Sequence, residues 1–268
     1  MTERKLHIGT NLKMYKTIKE TVSYLEDLQR MTEDICSDLF LFVIPSYTVL
    51  PAASAAVDQA RIRLGAQNMN WEEKGQFTGE ISPLMLQELG LKIVEIGHSE
   101  RRQIFRETDI EENRKVVSAI NHGFIALFCV GETGDEKQLD IGNDRLRQQL
   151  KIGLHGLSEA DCKNLWVAYE PVWAIGVNGI PASADYANEK HCVIRETLLQ
   201  LFPREGHNVP ILYGGSVNPD NACELITQSA IDGLFVGRAA WEASAFDALI
   251  RQVLPVWQQK VAQGLCAE

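Results

Sequence analysis

No apolar run in the sequence approaches the ~20 residues that a membrane-spanning helix requires. The opening residues, Met1-Thr-Glu-Arg-Lys-Leu-His7, lack the apolar core of a secretory leader. Both absences predict a cytoplasmic protein with no membrane partner. The six cysteines, at 36, 129, 162, 192, 223 and 266, include no C-x-x-C pair and no metal-ligand spacing. They read as reduced thiols used for packing, and no metal is expected. Basic residues are in deficit, 26 Lys and Arg against 36 Asp and Glu, for a net charge of −10. That balance argues against nucleic-acid binding, which neutralises phosphates with Lys and Arg. It leaves room for a local positive pocket that takes a small anion. Also missing is a G-x-G-x-x-G turn after the first apolar run, the mark of a dinucleotide-binding sheet. That run ends instead in Gly9-Thr-Asn-Leu-Lys13. No linker or repeat divides the chain, so residues 1–268 read as one domain.

What is present is alternation. Short apolar runs predict strands at Leu6–Gly9, Leu39–Ile44, Ile62–Ala66, Ile93–Ile96, Phe124–Val130, Leu165–Tyr169, Val209–Leu212 and Gly233–Val236. Most lack polar alternation, as parallel strands buried on both faces do. Helical signals lie between them. Asp109-x-x-Glu112 has the form of a capping box, and Ser82-Pro83 places a capping hydroxyl before a first-turn proline. Pro181-Ala-Ser183 opens another helix, with Val193, Ile194, Thr197 and Leu198 on one face. Eight strand–helix units over about 250 residues predict a (β/α)8 TIM barrel.

In such a barrel, residues just after each strand converge on one face. Those positions hold Asn11 and Lys13 after the first strand, His98 and Glu100 after the fourth, and Glu170 after the sixth. Gly214-Gly215-Ser216 follows the seventh strand and Gly237-Arg238 the eighth. Glycine turns present backbone N–H groups to an anion, and phosphate suits them. The set implies acid–base chemistry on a phosphorylated substrate, without cofactor. Taken singly, Lys13 could be a solvated lysine and His98 a helix cap. Glu170, at the end of an apolar strand, is harder to place without a role.

The blocks Asn11-Leu-Lys13-Met, Gly65-Ala-Gln-Asn, Phe77-Thr-Gly-Glu-Ile-Ser-Pro and Gly97-His-Ser-Glu-Arg-Arg102 stand in order along the chain. Cys129-Val-Gly-Glu-Thr133, Ala168-Tyr-Glu-Pro-Val-Trp-Ala-Ile-Gly176 and Leu212-Tyr-Gly-Gly-Ser-Val217 follow. Together they resemble the triosephosphate isomerase family over nearly the whole length. The resemblance implies Glu170 as the carbon base, His98 as the electrophile that polarises the carbonyl, and Lys13 as the cation facing the enediolate. It implies that Asn11 holds this region and that Glu100 pairs with Lys13. The backbone N–H groups of Gly176, Ser216, Gly237 and Arg238 would hold the phosphate. Pro171–Ala182 would be a lid, and Gln67–Glu80 a loop entering a second subunit of a homodimer, with Thr78 near the partner's first-strand residues.

The chain also departs from the family. Its lid tip reads Val177-Asn-Gly-Ile-Pro181 instead of Thr-Gly-Lys-Thr-Ala. In the family, the residue at 181 donates its N–H to the tyrosine matching Tyr213 on closure, and proline has none. The lost bond costs roughly 0.5–1.5 kcal/mol, and a fitting proline offsets roughly 0.4–1 kcal/mol, so a working lid with a different hinge is expected. Leu12, Tyr15 and Phe235 stand where tryptophan, asparagine and leucine are usual, and Arg238 where a residue without a side chain is preferred. Arg238 either brings a charge near the phosphate or packs outward on Trp241. Asn178–Ala182 paired with Gly237–Trp241 is similar to a branch that interconverts L-erythrulose 1-phosphate and D-erythrulose 4-phosphate. The expected function is therefore a tetrulose-phosphate isomerase. The alternatives are isomerisation of dihydroxyacetone phosphate and a non-catalytic barrel that binds phosphorylated ligands.

Overall fold

The computed structural model describes residues 5–176 and 179–266. Eight parallel strands close into a barrel in sequence order. They are β1 (Leu6–Asn11), β2 (Leu39–Ile44), β3 (Ile62–Ala66), β4 (Ile93–Ile96), β5 (Ile125–Val130), β6 (Leu165–Tyr169), β7 (Ile211–Tyr213) and β8 (Gly233–Val236). Closure comes from β1 pairing with β8, His7 opposite Gly233 through Thr10 opposite Val236. The architecture is the (β/α)8 barrel that the alternation predicts.

The strand ends differ from expectation for local reasons. β1 runs two residues further, because Thr10 and Asn11 continue in register with Val43 and Ile44. β7 starts only at Ile211, since Pro210 has no N–H to give the ladder. Phe124 donates its N–H to Ala119 O (3.0 Å) and so completes the preceding helix instead of opening β5.

The capping box before the fourth crossover is shifted by one residue. Thr108 caps helix Asp109–Asn121, reciprocated by Glu111, whose Oε2 accepts the Thr108 N–H (2.8 Å). Asp109 is taken by Arg102 and Arg145, and Glu112 lies fully buried against Arg102. Those ion pairs use the two carboxylates that the sequence pattern assigned to the cap. Thr108→Ala is expected to lower the unfolding free energy by about 1 kcal/mol, measured by denaturant titration. Ser82 caps helix Pro83–Glu88 as expected. Helix Ala184–Leu201 is capped by Ser183, so Pro181 lies ahead of the helix and belongs to the lid segment.

Two apolar layers fill the molecule. Inside the barrel, Phe42, Ile44, Ile93, Leu127, Cys129, Trp166, Ala168, Leu212 and Phe235 pack together. Gly9 makes this possible, because a Cβ there would lie 2.4 Å from the Phe42 ring. The larger layer lies between strands and helices and includes Val193's neighbours Ile194 and Leu198. Both layers hold the carboxyl ends of the strands rigid, and that rim carries the functional groups. Among the described residues, no helix is long and apolar enough to cross a membrane.

Candidate active site

A cleft of about 700 Å³ opens on that rim. Its walls include the expected catalytic and phosphate-binding residues: Asn11, Lys13, His98, Glu100, Glu170, Gly176, Ser216, Gly237 and Arg238. Residues separated by more than two hundred positions meet here because eight strands end at one level.

Glu170 follows β6 and is 3% exposed. One carboxylate oxygen accepts the Ser99 N–H (3.0 Å), and the other lies 3.4 Å from His98 Nε2. Its backbone N–H donates to Val130 O (2.7 Å), which locks the residue to β5. Gly131 and Gly214 give it space. A Cβ on Gly131 would stand 1.8 Å from the Glu170 carbonyl oxygen, and one on Gly214 would stand 3.0 Å from its Cγ. A buried carboxylate with one free face can take a proton from carbon.

His98 stands shortly after β4. It caps the turn Ser99–Gln103, its Nδ1 accepting the Glu100 N–H at 3.1 Å. Because Nδ1 is the acceptor, the proton of the neutral ring sits on Nε2, which points to Glu170 and the cleft. The helix-cap reading of His98 is thus met, and the cap leaves Nε2 on the side of Glu170.

Lys13 holds a left-handed backbone conformation, φ 51°, which a non-glycine residue adopts only under constraint. Its N–H donates to Asn11 Oδ1 (2.6 Å), and its carbonyl accepts from Gln67 Nε2 (2.8 Å). The turn throws the ammonium across the cleft onto Glu100, with which it forms an ion pair. Asn11 in turn gives its Nδ2 hydrogen to Glu95 Oε2 (2.7 Å). Gln67, the first residue of the expected subunit loop, therefore braces Lys13 within its own chain.

The segment expected to be a lid leaves the site through a short turn, Val172–Ala174. Trp173 Nε1 donates to Glu132 Oε1 (2.8 Å), which also accepts the Tyr169 and Tyr186 hydroxyls (3.0 and 2.9 Å). Gly176 turns with φ +94°. Val177 and Asn178 of the lid tip lie outside the described residues. Tyr213 is fully buried, and among the described residues no group meets hydrogen-bond geometry with its hydroxyl. Burial pushes the phenol pKa up, and the opposing influence is the backbone amide of Ala182, one residue past Pro181.

Arg238 does not pack outward on Trp241; it lines the cleft beside Gly176, one of the expected phosphate-binding residues. Nη2 donates to Gly176 O (3.2 Å), linking the turn after β8 to the lid hinge across the cleft mouth. Trp241 stacks on Tyr15 instead (ring centroids 4.4 Å) and donates to Asn11 O (3.0 Å). Phe235 lines the cleft beside Gly214. Sequence reasoning missed Glu95 and Glu132. Glu95 had left a signal, a lone acid in the apolar strand Ile93-Val-Glu-Ile96.

A barrel with a carboxylate, an imidazole and an ammonium converging beside glycine turns defines a sugar-phosphate isomerase of the enediolate type. The triosephosphate isomerase family model matches residues 6–253. An L-erythrulose-1-phosphate isomerase of Rhizobium etli is 45% identical over 247 residues, covering 92% of this chain and 91% of the relative. Another protein of that name, from Mesorhizobium japonicum, is 45% identical over 89% of this chain and 93% of its own length. A triosephosphate isomerase of Clostridium tetani is 43% identical over 92% of this chain and 96% of its own length. The chain belongs to the triosephosphate isomerase family and is an isomerase.

Proposed function

We propose that the enzyme interconverts L-erythrulose 1-phosphate and D-erythrulose 4-phosphate through a cis-enediolate, in one barrel domain spanning 1–268 and without cofactor. The observation that carries the reading is the Glu170–His98–Lys13 constellation in one cleft. The Rhizobium and Mesorhizobium relatives support the choice of sugar.

Glu170 takes the proton from C3 of L-erythrulose 1-phosphate, and the C3–H electron pair becomes the C2=C3 double bond as the C2 carbonyl becomes an oxyanion. The Nε2–H of His98 serves that oxygen, and the proton of the C3 hydroxyl passes to O2 by way of the same ring. Glu170 then returns its proton to C2, which leaves the ketone at C3. Lys13 faces the negative charge that develops, in a cleft where such interactions exceed their strength in water. Asn11 fixes the Lys13 turn, and Glu100 anchors the ammonium. The backbone N–H groups of Gly176, Ser216, Gly237 and Arg238 receive the phosphate. Closure of the lid keeps water from the enediolate, which would otherwise expel phosphate. The Ala182 amide near Tyr213 serves as the latch that Pro181 cannot supply.

A four-carbon substrate adds one hydroxymethyl group beyond the reacting carbon. Of the replacements, Tyr15 and Phe235 line the cleft and can reshape it for that group, whereas Leu12 is buried in the layer between strands and helices. Discrimination worth one such group is about 1–3 kcal/mol. The kcat/KM for L-erythrulose 1-phosphate is therefore expected to exceed that for dihydroxyacetone phosphate by at least about tenfold. A preference for the triose phosphate would overturn the substrate and leave the residue roles intact.

The active unit in this reading is a cytoplasmic homodimer formed through Gln67–Glu80. Residues 72–80 are exposed. So are Met14, Phe77, Met85, Ile104 and Phe105, on segments that follow β1, β3 and β4. Apolar exposure of this extent around one rim favours a partner. Thr78 of this loop would reach the other subunit's Asn11 and Lys13.

A further inference from the structure

The catalytic proposal leaves one ionisable group at the centre without a task. Glu95, on β4, is fully buried, and it is a carboxyl in an otherwise apolar strand. Burial of an acid at the centre of a barrel is costly unless it is paired or neutral.

We propose that Glu95 is a positioning residue that fixes the Asn11–Lys13 turn from beneath and so sets where the Lys13 ammonium meets the substrate. The inference rests on the isomerase reading above. Three contacts carry it. Glu95 Oε2 accepts the Asn11 Nδ2 hydrogen (2.7 Å), and Asn11 Oδ1 accepts the Lys13 N–H (2.6 Å). Carboxyl, amide and backbone thus form a chain that ends on the strained residue bearing the cation. The donor and acceptor atoms of Glu95, His98 and Glu170 also lie within 4.8 Å of one another. The site therefore contains two carboxyls and one imidazole at a spacing where a change of charge on one is felt by the others.

The titratable and charged groups facing Glu95 are Lys13 after β1, His98 after its own strand, Cys129 from β5 and Glu170 after β6. Burial pushes its pKa up to about 7; His98, the Asn11 hydrogen bond and Lys13 act against that shift, while Glu170 adds to it. The raised value means that the carboxyl is neutral below about pH 7 and ionises as the pH rises through it. Once ionised, it competes with an arriving phosphorylated anion for Lys13 and adds a negative charge under the enediolate. The kcat/KM is then expected to fall by about tenfold on the alkaline side.

The test compares wild type, Glu95→Gln and Glu95→Leu across a pH series, together with infrared spectra of the unliganded proteins. Gln keeps an acceptor for Asn11 and cannot ionise, whereas Leu removes the acceptor. In Glu95→Gln the alkaline fall near pH 7 is expected to vanish, so that above it the variant overtakes wild type. Glu95→Leu is expected to lose kcat about tenfold at all pH values, because Asn11 and the Lys13 turn are released. In the wild-type minus Glu95→Gln difference spectrum, the carbonyl stretch of a buried protonated carboxyl should be present at about pH 6 and weaken through about pH 7, while the contribution of Glu112, whose pKa burial pushes up to about 8, cancels. A pH profile unchanged by Glu95→Gln, or a difference spectrum without that band, overturns the proposal. A purely structural role would lower the melting temperature and leave the pH profile alone, which also overturns it. The infrared readout needs no substrate, so failure of the isomerase reading would appear as wild type without turnover and be distinguishable from failure of this one.

Discussion

Glu170→Gln is expected to lower kcat by about a thousandfold while KM changes by no more than a few-fold. The amide matches the carboxylate in size and can still accept the Ser99 N–H, now 3.0 Å from Glu170 Oε2, so folding and cleft shape should persist. What is lost is the basicity that takes the C3 proton. The resting contact with Ser99 has a consequence for the mechanism. In the proposed mechanism Glu170 gives up that hydrogen bond to reach substrate carbon, and closure of the expected lid offsets the exchange by excluding water. A variant that retains near-normal turnover would remove Glu170 from the mechanism, whatever the fate of the other residues. Single-turnover kinetics would show whether the loss lies in the chemical step.

Lys13→Met is expected to reduce kcat/KM by about a thousandfold or more, with both a higher KM and a lower kcat. Two effects add. The ammonium that meets the phosphorylated anion and the enediolate disappears. Glu100, which now pairs with Lys13, becomes an unneutralised carboxylate on the cleft wall and repels the substrate. The double variant Lys13→Met with Glu100→Gln should recover part of the loss in KM but little of that in kcat. Such a split would separate binding of the anion from stabilisation of the developing charge. Equal losses in the single and double variants would mean that Glu100 plays no electrostatic part.

Much of this was legible in the sequence because the barrel repeats one local pattern. β2, β3, β4, β6 and β8 have the limits predicted from their apolar runs, since strands buried on both faces carry little else. The cleft residues were legible because a barrel brings strand ends to one level. What the sequence did not reveal depends on contacts between distant strands. Asn11 and Glu95 are 84 positions apart, and only closure of the barrel aims both side chains inward. Arg238 could not be directed without knowing that Gly176 faces it from 62 positions away. The misplaced capping box has the same origin. Asp109 and Glu112 fit a local rule, but Arg102 and Arg145 claim Asp109, and Arg102 also claims Glu112, leaving the cap to Thr108 and Glu111. Lys13 is the clearest case of tertiary structure overriding local preference. Its left-handed turn is held by Asn11 and Gln67, and the direction of its ammonium follows from that turn.

The central claim is proton transfer by Glu170 at the carbons of a four-carbon ketose phosphate. Its most direct test is incubation of L-erythrulose 1-phosphate with wild-type enzyme in deuterium oxide, followed by proton and carbon NMR. The mechanism predicts deuterium at C3 of D-erythrulose 4-phosphate, the carbon that receives the proton and that was C2 of the substrate. It also predicts deuterium appearing at C3 of recovered substrate and no exchange with Glu170→Gln. Turnover with no solvent deuterium in either compound, or undiminished exchange in Glu170→Gln, would contradict it.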